Sequence, residues 1–130
     1  MPVQTLGHTP LSSDGNARPL SSAVRAGDFI FVSGQVPLDD TTQVVAGGIA
    51  AQTRQVFARI KAVLDAAGCT LDDVAKATVW LADASDFRAF NQVYVECFGS
   101  HRPARSTVQA RLMVDALVEI EVIAYKPVTP

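Results

Sequence analysis

From Leu117 to Tyr125 the chain alternates without a break: Val118, Ile120, Val122 and Ala124 fall on one side, and Leu117, Glu119, Glu121, Ile123 and Tyr125 on the other. A period of two belongs to a β-strand, and a wholly apolar side has to be covered. Helical cover is available in two places. Between Ile49 and Ala67, Ile49, Thr53, Val56, Ile60, Val63, Leu64 and Ala67 form one stripe at helical spacing, and Gly68 is a natural stop. Asp83 or Ser85 can cap a second helix that carries Phe87, Phe90, Tyr94 and Phe98 and ends at Gly99.

The other elements read as strands. Phe29 to Val36 puts Phe29, Phe31 and Ser33 on one face and Ile30, Val32 and Gly34 on the other, both beginning apolar, so it expects cover on two sides. Val74 to Leu81 and Ser106 to Arg111 are two more. Pro19 to Arg25 is extended, with Ala26-Gly27-Asp28 as the turn into the next strand, and residues 1 to 18 begin with a short strand before a loop. The expected architecture is α+β: one domain over residues 1–130, with a mixed sheet of about six strands and two helices on one face. Two helices cannot cover both faces of such a sheet. A homo-oligomer follows, in which the second face meets a neighbour and polar residues such as Glu119 line the seam.

Composition narrows the function classes. A chain of 130 residues suits one compact core, and a net charge of −2 with interspersed signs gives no basic footprint for nucleic acid. No apolar run spans a bilayer, and the start Met1-Pro2-Val3-Gln4-Thr5 lacks a secretory pattern, so the expected compartment is the cytoplasm. Cys69 and Cys97 are isolated and read as buried or half-buried thiols. His8 and His101 are too far apart and too poor in company for a metal site. No phosphate loop, dinucleotide fingerprint or nucleophile elbow is present, and Gly47-Gly48 reads as a plain loop before the first helix.

Arg105 stands out in Pro103-Ala104-Arg105-Ser106-Thr107-Val108. A guanidinium mounted between a proline-fixed turn and a β-branched run can present its planar fork to a carboxylate in a set orientation. An ordinary arginine is more often exposed or ion-paired. Glu119 is a candidate base or water-orienting group, although a glutamate on a mixed strand face is usually solvated or at an interface. Ser33-Gly34 can let backbone approach a ligand, or can mark a bulge. Phe87 and Asn91, four apart on a helix, share a face; Phe87 reads as core.

Four motifs taken together, Phe31-Val32-Ser33-Gly34-Gln35-Val36-Pro37, Asp86-Phe87 with Asn91 and Tyr94, Pro103-Ala104-Arg105-Ser106, and Glu119-Ile120-Glu121, resemble the RidA/YjgF-type reactive intermediate (imine) deaminases. The resemblance runs from about Pro19 to Tyr125. It implies a chorismate-mutase-like fold, a homotrimer with ligand clefts between subunits, and a small carboxylate-bearing metabolite as partner. It also implies that Arg105 binds the substrate carboxylate, that Glu119 handles water, and that Gly34, Ser33, Phe87 and Asn91 lie at the cleft. Thr107 stands where the family commonly has Cys, and Leu20 where it commonly has Tyr, which makes one wall apolar and excludes thiol chemistry at position 107.

The reaction implied is hydrolysis of 2-imino or enamine acids, such as 2-aminoacrylate tautomers released by pyridoxal-phosphate enzymes, to 2-keto acids and ammonia. The scheme calls for no metal and no cofactor. A non-catalytic keto-acid sensor using the same cleft is the alternative. RNA cleavage or inhibition of translation, names some family members carry, fits the acidic balance least.

Overall fold

The computed structural model describes residues 3–7, 10–12 and 14–128, so His8 lies outside the described residues. Six strands form one sheet: β1 (Gln4–Leu6), β2 (Ala23–Ala26), β3 (Phe29–Gln35), β4 (Val74–Leu81), β5 (Ala104–Gln109) and β6 (Val118–Tyr125). Helices α1 (Gly48–Ala66) and α2 (Phe87–Phe98) follow β3 and β4. The spatial order is β1-β2-β3-β6-β4-β5, with β4 and β5 parallel and the other pairs antiparallel. The expected α+β architecture is therefore the one observed.

The alternation of β6 organises the core. Val118, Ile120, Val122 and Ala124 are buried beneath the helices with Ile30 and Val32 of β3 and Ala77, Val79 and Leu81 of β4. Against them α1 sets Val56, Phe57, Ile60 and Leu64, and α2 sets Phe90, Tyr94 and Phe98. Phe57 meets Tyr94 and Phe98 edge-on, with ring centroids 5.7 and 5.3 Å away, which fixes the two helices against each other. The entry to α2 is built as its sequence suggests: Asp83 accepts a hydrogen bond from the Ser85 amide at 2.9 Å, a 3-10 turn spans Ala84–Asp86, and Gly99 closes the helix at φ 68°.

Among the described residues no helix covers the opposite face of the sheet. Phe29, Phe31, Val108 and Tyr125 are exposed there, with Phe29 5.2 Å from Tyr125 and 6.5 Å from Phe31 between ring centroids. The second cover that Phe29 to Val36 expected is thus not supplied by the described residues of its own chain.

Two local differences from the sequence reading matter for the site. Strand β5 begins at Ala104 rather than Ser106, so Arg105 is a strand residue pairing with Ala77. In β3 the register shifts between Val32 and Gln35, because a bulge inserts one residue. Strict alternation would put Gly34 on the helix side with Ile30 and Val32. The bulge instead hands that place to Gln35, which is buried opposite Ile120, and turns Gly34 to the open face.

Candidate active site

The predicted residues gather in two clusters on opposite faces of the sheet. Arg105 pairs in register with buried Ala77, so its side chain rises on the helix side at the β5 edge. There its Nη1 donates to Asn91 Oδ1 at 2.8 Å. The guanidinium carbon lies 4.7 Å from the ring centroid of Tyr94, 5.6 Å from Phe87 and 5.7 Å from Phe90. Three rings and one amide thus hold the plane of the fork. Among the described residues no carboxylate comes within ion-pair distance of it; the two ion pairs are Arg54–Glu96 and Lys126–Asp73. Burial pushes the Tyr94 phenol up, and the Arg105 charge opposes that shift.

Beside this cluster lies a cavity of about 150 Å³ lined by Leu81, Ala84, Phe87, Thr107, Val108 and Gln109. Thr107 Oγ1 is buried without a hydrogen-bond partner. Phe87 is not core: 43% of it is exposed, and it forms the rim between this cavity and the outer side of α2. It opens the helix at the edge of the sheet, where the sheet no longer covers the face it shares with Asn91.

Glu119 belongs to the second cluster, on the open face, opposite Trp80 of β4 in the ladder and on the same side as Glu121. A Cβ built on Gly34 would overlap Glu119 Oε2 and lie 3.1 Å from its carboxyl carbon, so the carboxylate rests directly on the β3 bulge. Burial pushes the Glu119 carboxyl above its ordinary value, and the neighbouring charge of Glu121 adds to the rise. Arg105 is not among the causes. Within one chain the β-sheet separates the two, because Arg105 shares the face of Ala77 and Glu119 the face of Trp80.

Ser33 is pinned next to Gly34. Its amide donates to the Ser22 carbonyl at 2.9 Å and its hydroxyl to the Ser21 carbonyl at 2.5 Å. Leu20 precedes this pair and is exposed. His101 is structural, its Nε2 lying 2.7 Å from the Val74 carbonyl. Cys69 is buried and Cys97 half-buried, both as expected, and burial raises both thiols. Among the described residues no helix is long and apolar enough to cross a membrane, and no group of three or more His, Cys, Asp and Glu could hold a metal ion.

Sequence reasoning did not single out Tyr94 and Phe90 as walls of the arginine site, nor Gln35 and Arg59, which stand behind the bulge. For the aromatic pair the signal was available: Phe87, Phe90, Asn91 and Tyr94 fall at helical spacing on one face.

Comparison with known proteins gives a consistent relationship. The sequence profile of the family described as Endoribonuclease L-PSP matches residues 12–126. A RutC family protein of Pyrococcus horikoshii is 53% identical over 110 residues, covering 83% of this chain and 87% of that protein. The 3-aminoacrylate deaminase RutC of Acinetobacter baylyi is 45% identical over 109 residues, covering 82% of this chain and 86% of the other. Among solved structures, RidA from an Antarctic Psychrobacter superposes with a TM-score of 0.84 at 38% identity, covering 94% of this chain and 98% of its own. Yeast Mmf1, named as mitochondrial, gives 0.87 at 34% identity, covering 96% and 99%.

Proposed function

Because the chain belongs to the Endoribonuclease L-PSP family, the group of RidA and RutC proteins, we propose that it hydrolyses small 2-imino and enamine acids to 2-keto acids and ammonia. The observation that carries this reading is the state of Arg105: held by Asn91 and three rings, one of which, Phe87, also lines a small cavity, with no carboxylate within ion-pair distance among the described residues. Such a fork is ready for a carboxylate from outside the chain.

In the proposed site Arg105 grips the substrate carboxylate and sets the imine carbon in place. Glu119 takes a proton from a water whose oxygen attacks that carbon, forming a carbinolamine. The nitrogen takes up that proton, the hydroxyl proton then passes to the same nitrogen as the carbonyl forms and the C–N bond breaks, and ammonia leaves from a 2-keto acid. Imines hydrolyse unaided in water, so orientation and modest acid–base help supply the acceleration. A carboxylate pushed upward by burial suits the base, since its pKa moves toward neutrality.

One chain cannot assemble this site across its own sheet. We infer that a second copy brings its Glu119 and Gly34 face to the Arg105 edge, the exposed Phe29, Phe31 and Tyr125 surface being covered by the association. A homotrimer with clefts between subunits is the arrangement proposed.

The test generates imines in place with an amino-acid oxidase and measures their decay. The wild-type protein is expected to accelerate hydrolysis, and Glu119→Gln to lower turnover more than it weakens keto-acid binding. Saturable binding of 2-ketobutyrate without acceleration of any imine would instead identify a metabolite sensor.

A further inference from the structure

The Glu119 carboxylate sits on a bulge that is tied from behind. All three polar groups of Ser33 are engaged: amide and hydroxyl by Ser22 and Ser21, and carbonyl by the Gln35 side-chain amide, whose Nε2 donates to it at 3.0 Å. Gln35 Oε1 in turn accepts from Arg59 Nε at 3.2 Å. Arg59 Nη1 donates to the Leu38 carbonyl at 3.3 Å, and the same carbonyl receives Gln55 Nε2 at 2.7 Å. Helix α1 is thereby joined, through one buried glutamine, to the backbone beside Gly34.

We propose that Gln35 and Arg59 are positioning residues for Glu119, acting through the Ser33–Gly34 bulge, whose missing Cβ leaves the space the carboxylate occupies. A one-residue slip of β3 would exchange the faces of Gly34 and Gln35, remove the backing of the carboxylate and leave an amide on the open face. The tie opposes that slip. Ordinary packing would not place a guanidinium here: it is half-buried, has no ion-pair partner among the described residues, and spends donors on an amide and a carbonyl. Desolvation and the nearby Arg18 charge pull its pKa down, and the Asp40 charge offsets only part of this, so the placement carries an electrostatic cost. A bulge re-aiming a side chain beside a reactive group is a recurrent use of such irregularities.

The inference rests on the water-handling role proposed for Glu119. The variants are Arg59→Met, Gln35→Leu and Gly34→Ala, each compared with Glu119→Gln in imine hydrolysis across pH and in 2-ketobutyrate binding. Arg59 is half-buried where Gln35 is buried, so Arg59→Met is expected to fold even if Gln35→Leu does not. Expected is a fall in kcat on the order of tenfold from displacing the carboxylate. The acid limb of the pH profile should shift, and keto-acid affinity should stay within about twofold because the Arg105 half is untouched. If Glu119→Gln is impaired while Arg59→Met keeps both wild-type kcat and the wild-type acid limb, the positioning role is overturned and the reading of Glu119 stands. If Glu119→Gln turns over at the wild-type rate, the reading of Glu119 fails and the positioning role falls with it.

Discussion

Replacing Arg105 with lysine keeps the positive charge and removes the planar fork, which isolates what the geometry contributes. In the structure Nη1 is already committed to Asn91 Oδ1 at 2.8 Å, and three rings within 5.7 Å fix the plane, so the remaining N–H groups are aimed rather than free. A lysine at 105 can offer a substrate carboxylate one bond where arginine offers two. Each charge-assisted hydrogen bond contributes about 1.5–3 kcal/mol. Losing one predicts a drop in kcat/KM of roughly tenfold to a hundredfold. Alanine loses both bonds and the charge, about 3–6 kcal/mol, or on the order of a hundred- to ten-thousand-fold. The carboxylate is held alike before and during attack on the neighbouring carbon, so most of the loss should appear in KM. The assay is oxidase-coupled imine decay at several substrate concentrations, with thermal unfolding as the control for the lost ring contacts, about 1 kcal/mol. A lysine or alanine variant within twofold of wild type would refute the clamp.

Three other outcomes follow from the same geometry. The rate should fall as pH drops through the raised pKa of Glu119, because the base must be ionised, and Glu121→Gln, which removes one cause of the rise, should move that acid limb to lower pH; an unmoved limb in a pH–rate profile counts against Glu119 as the base. Phe57→Ala should cost about 3–5 kcal/mol in denaturant unfolding, since its ring is buried and joins α1 to Tyr94 and Phe98 of α2. Thr107→Val should raise stability by about 1 kcal/mol by removing a buried hydroxyl without a partner; a loss measured by the same unfolding would show that the hydroxyl is satisfied in the assembled protein.

Much of this was legible in the sequence, for reasons that differ by residue. The alternation through Val118, Ile120, Val122 and Ala124 announced the central strand and its covered face, because a period of two survives any tertiary arrangement. Helical spacing brought Asn91 to the right face, and the Arg105–Asn91 hydrogen bond is its outcome. Phe87 is exposed where its stripe predicts core, because periodicity gives the side of a helix and not where along it the sheet ends. Gly34 fell on the wrong face by simple counting, since a bulge has no signature beyond the glycine that permits it. The separation of Arg105 from Glu119 depends on the registers of β5 and β6 against β4, which arise from long-range pairing. The Arg59–Gln35 tie spans 24 residues and could not be read from local pattern.

The proposed site draws its two halves from different copies of the chain. Mixing Arg105→Ala and Glu119→Gln chains, unfolded and refolded together in equal amounts and assayed well below the KM of the variants, measures this directly. In the proposed assembly a working cleft takes an intact arginine from one subunit and an intact glutamate from its neighbour, so about a quarter of wild-type imine-hydrolysing activity should return, half times half, for random cyclic assembly. Activity no greater than the sum of the two variants refolded alone would contradict it.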